Sequence, residues 1–314
     1  MSPEPVRVLV PGSTANLGPG FDCLGLALEL YVRVTVAPGG AGSVRALGEG
    51  AAEIPADETN LVCRALRACF QRAGESLPPL DVSIENGIPV ARGLGSSAAA
   101  VVAGLVAANA LLGDALGNGD LLALGAAIEG HPDNIAPSLL GGCTLVVPHC
   151  DGFLPARIPL PPGLEAVVFV PEARLSTEAA RRALPERVPL RDAVFNAGRV
   201  ALLVLAMTSG RRDLLGPATE DRLHQPYREP LVPGMAVLCE AAREAGAAGA
   251  FLSGAGPSIL ALTWGRSAAV AAAMAAAAKR AAVPGRTIIT RPSFAGARVE
   301  FTAGSAENAE REEV

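Results

Sequence analysis

Lysine is almost missing from this chain. Among 26 basic residues in 314, Lys279 alone is not an arginine, and it closes the alanine-rich stretch AAAMAAAAKR. A Walker A loop holds its lysine beside the glycines and a protein kinase holds one on a strand, so both are excluded. Schiff-base chemistry would depend on the same misplaced residue. Histidine is scarce too, with three, and the six cysteines include no CxxC pair and no histidine cluster nearby. That pattern argues against a zinc site or a disulfide framework and for reduced, mostly buried thiols in a cytosol. Basic runs are absent and the net charge is −5, which excludes nucleic acid as an expected partner. Half the residues are hydrophobic, yet no run approaches the roughly 18 apolar residues of a membrane span. The longest, 98–112, is interrupted by Gly104 and Asn109. The opening MSPEPVRVLVPG, acidic and broken by proline, does not read as a secretory signal. Any phosphate handled here must be held by backbone amides, hydroxyls, metal and arginine.

The hydrophobic pattern predicts strands at 6–10, 24–36 and 80–84, and helices at 60–73, 98–112 and 119–129. A loop, a short helix and a strand follow to 148. The proline-rich LPARIPLPPGLEAVVFVP marks a domain boundary near 155–163, after which 164–170 restarts a buried strand. Helices are predicted at 176–184, 190–208, 231–246 and 267–282, strands at 248–252 and 258–263, and one or two more in 286–301. The domains are thus 1–160 and 161–302, and the polar, acidic residues 303–314 read as a disordered tail. Strands and helices mix without regular βαβ alternation, which favours an α+β architecture over a doubly wound sheet.

The most informative stretch is PVARGLGSSAA, residues 89–99. Glycines let the backbone approach phosphate oxygens, and the free amides and dipole of the following helix favour an anion. Ser96 or Ser97 would add a hydroxyl for phosphate or for its Mg²⁺. GLGSSA also matches a degenerate dinucleotide fingerprint, but a Rossmann strand would run straight into the first glycine. Here ENGIPVAR intervenes. The structural alternative is a serine-capped helix after a glycine turn. In PGSTANLGPGFD, residues 11–22, Asn16 can donate and accept, and Asp22 can accept from a substrate ammonium or hydroxyl; a tight turn is the plain alternative. In EGHPDNIAP, residues 129–137, Glu129 is a hard oxygen ligand suited to Mg²⁺, and His131, Asp133 and Asn134 crowd one loop, where Asp133 could instead simply cap the next helix. FLSGAGPSILAL, residues 251–262, sends a glycine loop containing Gly254 out of two strands, or is a hairpin turn. Arg181 and Arg182 follow Ser176 and Thr177 at a helix start, and Arg222 and Arg228 lie in DRLHQPYREP. Arginine can grip a carboxylate bidentately.

The order of these motifs resembles the small-molecule kinases named for galactose, homoserine, mevalonate and phosphomevalonate, over residues 6–265. STANLGPGFDCLGLAL, EGHPDNIAPSLLGG and QPYREPLVPG are similar to the homoserine branch of that superfamily. The resemblance implies a two-domain α+β fold: an N-terminal domain like the second domain of ribosomal protein S5, then a ferredoxin-like domain. It implies ATP, with its phosphates on Pro89, Val90, Ala91, Arg92, Gly93, Leu94, Gly95, Ser96, Ser97, Ala98 and Ala99, its adenine near Asn60, and Mg²⁺ on Ser97 and Glu129. It implies L-homoserine held by Asn16, Asp22, His131, Asn134 and Gly254, with Arg181 and Arg228 on its carboxylate and Thr177 near its hydroxyl. Many members have more residues between the glutamate and the histidine than Gly130 alone, so Glu129 takes the metal role across a deletion. Asp22 and Asp133 are the candidate bases, and the expectation is that Asp22 orients the substrate without a strong base. A cytoplasmic homodimer is implied as well. The competing readings are a relative acting on mevalonate, a sugar or shikimate, and a catalytically silent ATP or metabolite sensor.

Overall fold

The computed structural model describes residues 4–39, 41–150 and 152–300; the expected tail at 303–314 lies outside them. The chain begins with β1 (Val6–Asn16) and β2 (Gly20–Pro38), then β3 (Val44–Gly48), α1 (Leu61–Ala73) and β4 (Leu80–Asn86). Next come α2 (Ser96–Leu111), α3 (Asn118–Glu129), α4 (Ile135–Leu140), β5 (Cys143–His149) and β6 (Gly152–Ile158). The second half holds β7 (Glu165–Pro171), α5 (Thr177–Arg182), α6 (Leu190–Ser209), α7 (Leu215–Ala218), α8 (Gln225–Arg228) and α9 (Met235–Glu244). It ends with β8 (Gly249–Leu252), β9 (Ile259–Thr263), α10 (Ser267–Arg280), β10 (Gly285–Thr290) and β11 (Arg298–Glu300).

The first sheet runs β11-β1-β2-β4-β3, with β5 on β2 and β6 on β5. The second runs β10-β7-β9-β8 and is antiparallel throughout. With α9 and α10 packed together on one of its faces as the crossover helices, that is the β-α-β-β-α-β ferredoxin-like arrangement expected. α1 follows directly from its sequence: Asn60 accepts from the Val62 amide at 2.9 Å, Gly74 closes the helix at φ 77°, and Val62, Ala65, Leu66, Cys69 and Phe70 form one buried stripe. α2 is buried nearly all round, which its alanine- and valine-rich sequence permits. β7 alternates between two cores. Val167 and Phe169 pack with α9 and α10, while Ala166, Val168 and Val170 join the core that contains α1 and α2. The two sheets therefore share apolar packing.

Three expectations are corrected. The presumed loop 11–16 continues β1, because Gly12–Asn16 are buried on both faces and no alternation marks them as strand. The proline-rich boundary contains β6, a strand paired with β5. Residues after β10 leave the second sheet: Pro292 bridges Leu28, and β11 pairs with β1 at Val8↔Val299. Among the described residues, no helix is long and apolar enough to cross a membrane.

Candidate active site

A cavity of about 350 Å³ is lined from both halves of the chain, a volume within the range of small-molecule clefts. Its floor is the glycine-serine loop. α2 starts at Ser96, with Gly95 (φ 67°, ψ 24°) as N-cap and no side-chain cap. The serines are therefore the first two residues of the helix, and the serine-cap alternative fails. The Ala99 amide is the first to enter the helical ladder, bonding the Gly95 carbonyl at 2.9 Å. The amides before it lie ahead of that ladder at the positive end of a 16-residue apolar helix, the physical basis of an anion site. Three residues expected on the phosphates, Pro89, Ala98 and Ala99, do not line the cavity. Both alanine side chains are packed in the core.

Arg92 stands on the cavity wall but is committed to four carbonyls. It donates to Val90 (3.1 Å) and Ala91 (3.2 Å) in its own loop and to Pro171 (2.8 Å) and Glu172 (2.7 Å) at the end of β7. It is a strut between the loop and the second sheet. Desolvation, and then the nearby Arg174 charge, hold its pKa below the ordinary arginine value.

The Ser97 hydroxyl donates to Glu129 Oε1. Glu129 is the last residue of α3, and Gly130 at φ 89° turns the chain immediately afterwards. The shortened spacing thus still brings the glutamate to the serine. Two hard oxygen donors beside an anion site fit Mg²⁺, which commonly takes one or two protein ligands and completes its shell with phosphate and water. Among the described residues there is no cluster of three or more carboxylate, histidine or cysteine ligands, as a fully protein-caged metal would require.

Above the loop the wall turns apolar, with Val32, Ile54, Pro55, Leu61, Ile84 and Val90. Such a slot suits a flat aromatic base. Asn60 lines it, but its amide is used structurally: it caps α1 and donates to the Pro55 carbonyl at 2.7 Å.

At the opposite end the expected polar residues converge. Asp22, held at φ 57°, accepts both guanidinium bonds of Arg181, at 2.9 and 3.0 Å. Arg181, expected on a ligand carboxylate, is thus already matched. Asn16 (φ 71°) donates to the Gly254 carbonyl at 3.0 Å and accepts from the Asp22 amide at 3.0 Å. Asn134 accepts from the Ser13 hydroxyl at 3.0 Å. Ser176 caps α5, which leaves Thr177, its first residue, on the cavity wall. Arg228 lines the cavity while only 2 % exposed, and its hydrogen bonds go to neutral groups, the carbonyls of Ala180 and Gly254 and the ring of His224. Burial, followed by the Arg181 charge, lowers its pKa to about 10. A buried cation without an acidic hydrogen-bond partner is suited to receive an anionic group. Arg222, the other arginine of its motif, bonds Asp192 and stacks on Phe195 instead. Lys279 is exposed at the end of α10.

Asp133 does not cap α4. It is 2 % exposed and bonds His131 Nδ1 at 2.6 Å. Burial, the largest influence on His131, lowers its pKa, but the Asp133 hydrogen bond and charge outweigh it, and the net shift is upward from 6.5. His224 shifts the other way, because burial disfavours its cation. Linkage then gives opposite signs. The His131 contribution to stability is full below pH 6.5 and is lost as pH rises through its folded pKa. The His224 contribution is present above pH 6.5 and is lost as pH falls through its folded pKa. Long-range ¹H–¹⁵N spectra across pH should show His131 titrating above 6.5 and His224 below it; the reverse order would contradict this electrostatic account.

The chain is similar to known proteins in sequence and in fold. Residues 60–142 match the GHMP kinases N terminal domain and residues 199–281 the GHMP kinases C terminal family. A homoserine kinase of Moorella thermoacetica is 48% identical over 276 residues, 88% of this chain and 93% of that protein. One from Synechococcus is 49% identical over 261 residues, 82% of this chain and 85% of its own length. The crystal structure of a homoserine kinase from Cytophaga hutchinsonii superposes with a TM-score of 0.86 at 30% identity, covering 95% of this chain and 98% of that one.

Proposed function

The chain belongs to the GHMP kinases, and from that premise we propose that its cavity seats ATP beside L-homoserine and transfers the γ-phosphoryl group to the homoserine hydroxyl. The product is O-phospho-L-homoserine, an intermediate of threonine biosynthesis. The observation that carries the reading is one cavity with an uncapped helix N-terminus at one end and the Asp22–Arg181 pair with Arg228 at the other.

In this reading the adenine enters the apolar slot, and the phosphates lie against the loop from Val90 to Ser97. Ser97 and Glu129 would hold Mg²⁺, which supplies neutralisation of phosphate charge when bound. Arg228 meets the substrate carboxylate, Asp22 its ammonium, and Thr177, His131 and Asn134 flank the reacting end. Phosphoryl transfer requires mainly in-line positioning and charge stabilisation. Both candidate bases are already engaged, Asp22 by Arg181 and Asp133 by His131, which supports a transfer that needs no strong base. An amino-acid substrate presents two opposite charges, and this end of the cavity offers both complements; mevalonate, shikimate or a sugar would leave Asp22 without its ammonium. We place the enzyme in the cytoplasm, as a homodimer, which sedimentation velocity would check.

The test is ADP release with L-homoserine, mevalonate, shikimate, galactose or no acceptor. Turnover is expected with homoserine alone. Asp22→Asn should raise the homoserine KM while kcat falls by less than about 10⁴-fold, the upper end of a general-base contribution. Turnover with another acceptor would overturn the substrate assignment, and tight ATP binding without any turnover would favour the sensor.

A further inference from the structure

His224 lies outside the cavity lining, is completely buried, and stacks on Phe21 with ring centroids 5.3 Å apart. Its hydrogen bonds determine its chemical form. Nε2 is 2.6 Å from the Gly18 carbonyl, which can only accept. Nδ1 is 3.2 Å from Arg228, whose guanidinium can only donate. The ring must therefore be neutral, with its proton on Nε2. Burial disfavours the cation and agrees with this. The charged groups acting on it are Asp221, whose carboxylate is 3.6 Å from Nε2, Arg228 itself, and Asp22.

Gly18 belongs to the turn 17–19, which joins β1 to β2 and separates Asn16 from Asp22. Asn196 secures the same turn through the Pro19 carbonyl at 3.2 Å. The segment carrying His224 is itself held by Asp221, which accepts from the amides of Leu223, His224 and Gln225. One imidazole thus bonds both the cation at the substrate end and the turn presenting the other two polar residues, 206 positions away in sequence.

We propose that His224 is a positioning residue for recognition of the substrate carboxylate, aiming the Arg228 guanidinium relative to the turn that carries Asn16 and Asp22. The inference rests on the reading of Arg228 as the carboxylate receptor. Because a guanidinium without this acceptor can rotate out of register, the loss falls on substrate binding and not on ATP.

Two near-isosteric variants divide the role. His224→Asn keeps an acceptor near Nδ1, and His224→Gln keeps an N–H donor near Nε2. His224→Gln should raise the L-homoserine KM by about 10- to 100-fold, the scale of one hydrogen bond to a charged group. The ATP KM should stay constant and kcat should change little. His224→Asn should recover most of the loss. The decisive readout is the ratio of kcat/KM for L-homoserine to that for L-homoserinamide, which lacks the carboxylate charge. His224→Gln should lower that ratio, whereas a general loss of structure would reduce both substrates alike. In the unsubstituted protein, the His224 Nδ1 nitrogen shift should move on adding L-homoserine and not on adding the amide. An unchanged ratio in His224→Gln, with Arg228→Gln lowering it, overturns the role of His224 alone. If Arg228→Gln also leaves the ratio unchanged, the carboxylate reading falls and takes this inference with it.

Discussion

Ser97→Ala is expected to lower kcat by about 10²–10³-fold, the scale of one lost transition-state contact in a water-poor site, with little change in the KM for homoserine. The hydroxyl stands at the second position of α2 and donates to Glu129, so the two residues form one unit beside the start of that helix. Glu129→Gln should give a loss of similar size and shift half-saturation to higher Mg²⁺, because an amide oxygen is a weaker ligand than a carboxylate for a hard cation. The double variant should fall no further than the worse single one, since groups that act as a unit are not additive. Steady-state rates over a magnesium titration test all three statements. Near-normal kcat in both single variants at saturating Mg²⁺ would remove this pair from the reaction.

Gly93→Ala is expected to damage folding and phosphate binding together. Gly93 sits at φ 71°, and a Cβ there would meet the Ser253 carbonyl oxygen at 2.3 Å and the Gly256 oxygen at 2.8 Å. Both contacts are backbone, so no side chain can swing away. Left-handed strain costs about 1–2 kcal/mol for a residue with a Cβ, and overpacking adds about 1–3 kcal/mol. The same contact holds two motifs together: the Ser253 hydroxyl donates to the Gly93 carbonyl at 2.6 Å and is 2.8 Å from the Thr14 hydroxyl. Thermal unfolding should shift down by about 5–10 °C, and ATP should bind more weakly even where the variant is folded. Calorimetry of stability and of ATP binding separates the two effects. A variant with unchanged melting would show that the phosphate loop and the Ser253–Ser258 loop are not packed as described.

Much of the candidate site is legible in the sequence. Glycine, serine and a small-residue helix announce an anion site through the chemistry of free amides, and the near absence of lysine excludes the main rival ways of holding phosphate. The α1 stripe and the β4 alternation of Leu80, Val82 and Ile84 show their elements because each has one buried face and one wetter one. β1 beyond Pro11 did not, because a strand covered on both faces loses its period. β6 was hidden by Pro155 and by the proline-rich run that follows the strand. The strands in 286–301 were expected, but the pairing of β11 with β1 could not be read, because β1 begins almost 300 residues earlier and pairing over that distance leaves no local pattern.

The sequence by itself determined the class of chemistry and the residue types able to perform it: backbone amides, two hydroxyls, a few carboxylates and arginines. Only the tertiary structure decided their assignments. It joined Arg181 to Asp22 across 159 positions, set Arg228 and not Arg222 at the cavity, committed Arg92 to carbonyls, and made His224 a neutral link between two halves of one subsite. The physical reason is that charge and hydrogen-bond partners act within a few ångströms, and the folded packing alone determines which distant residues meet at that range.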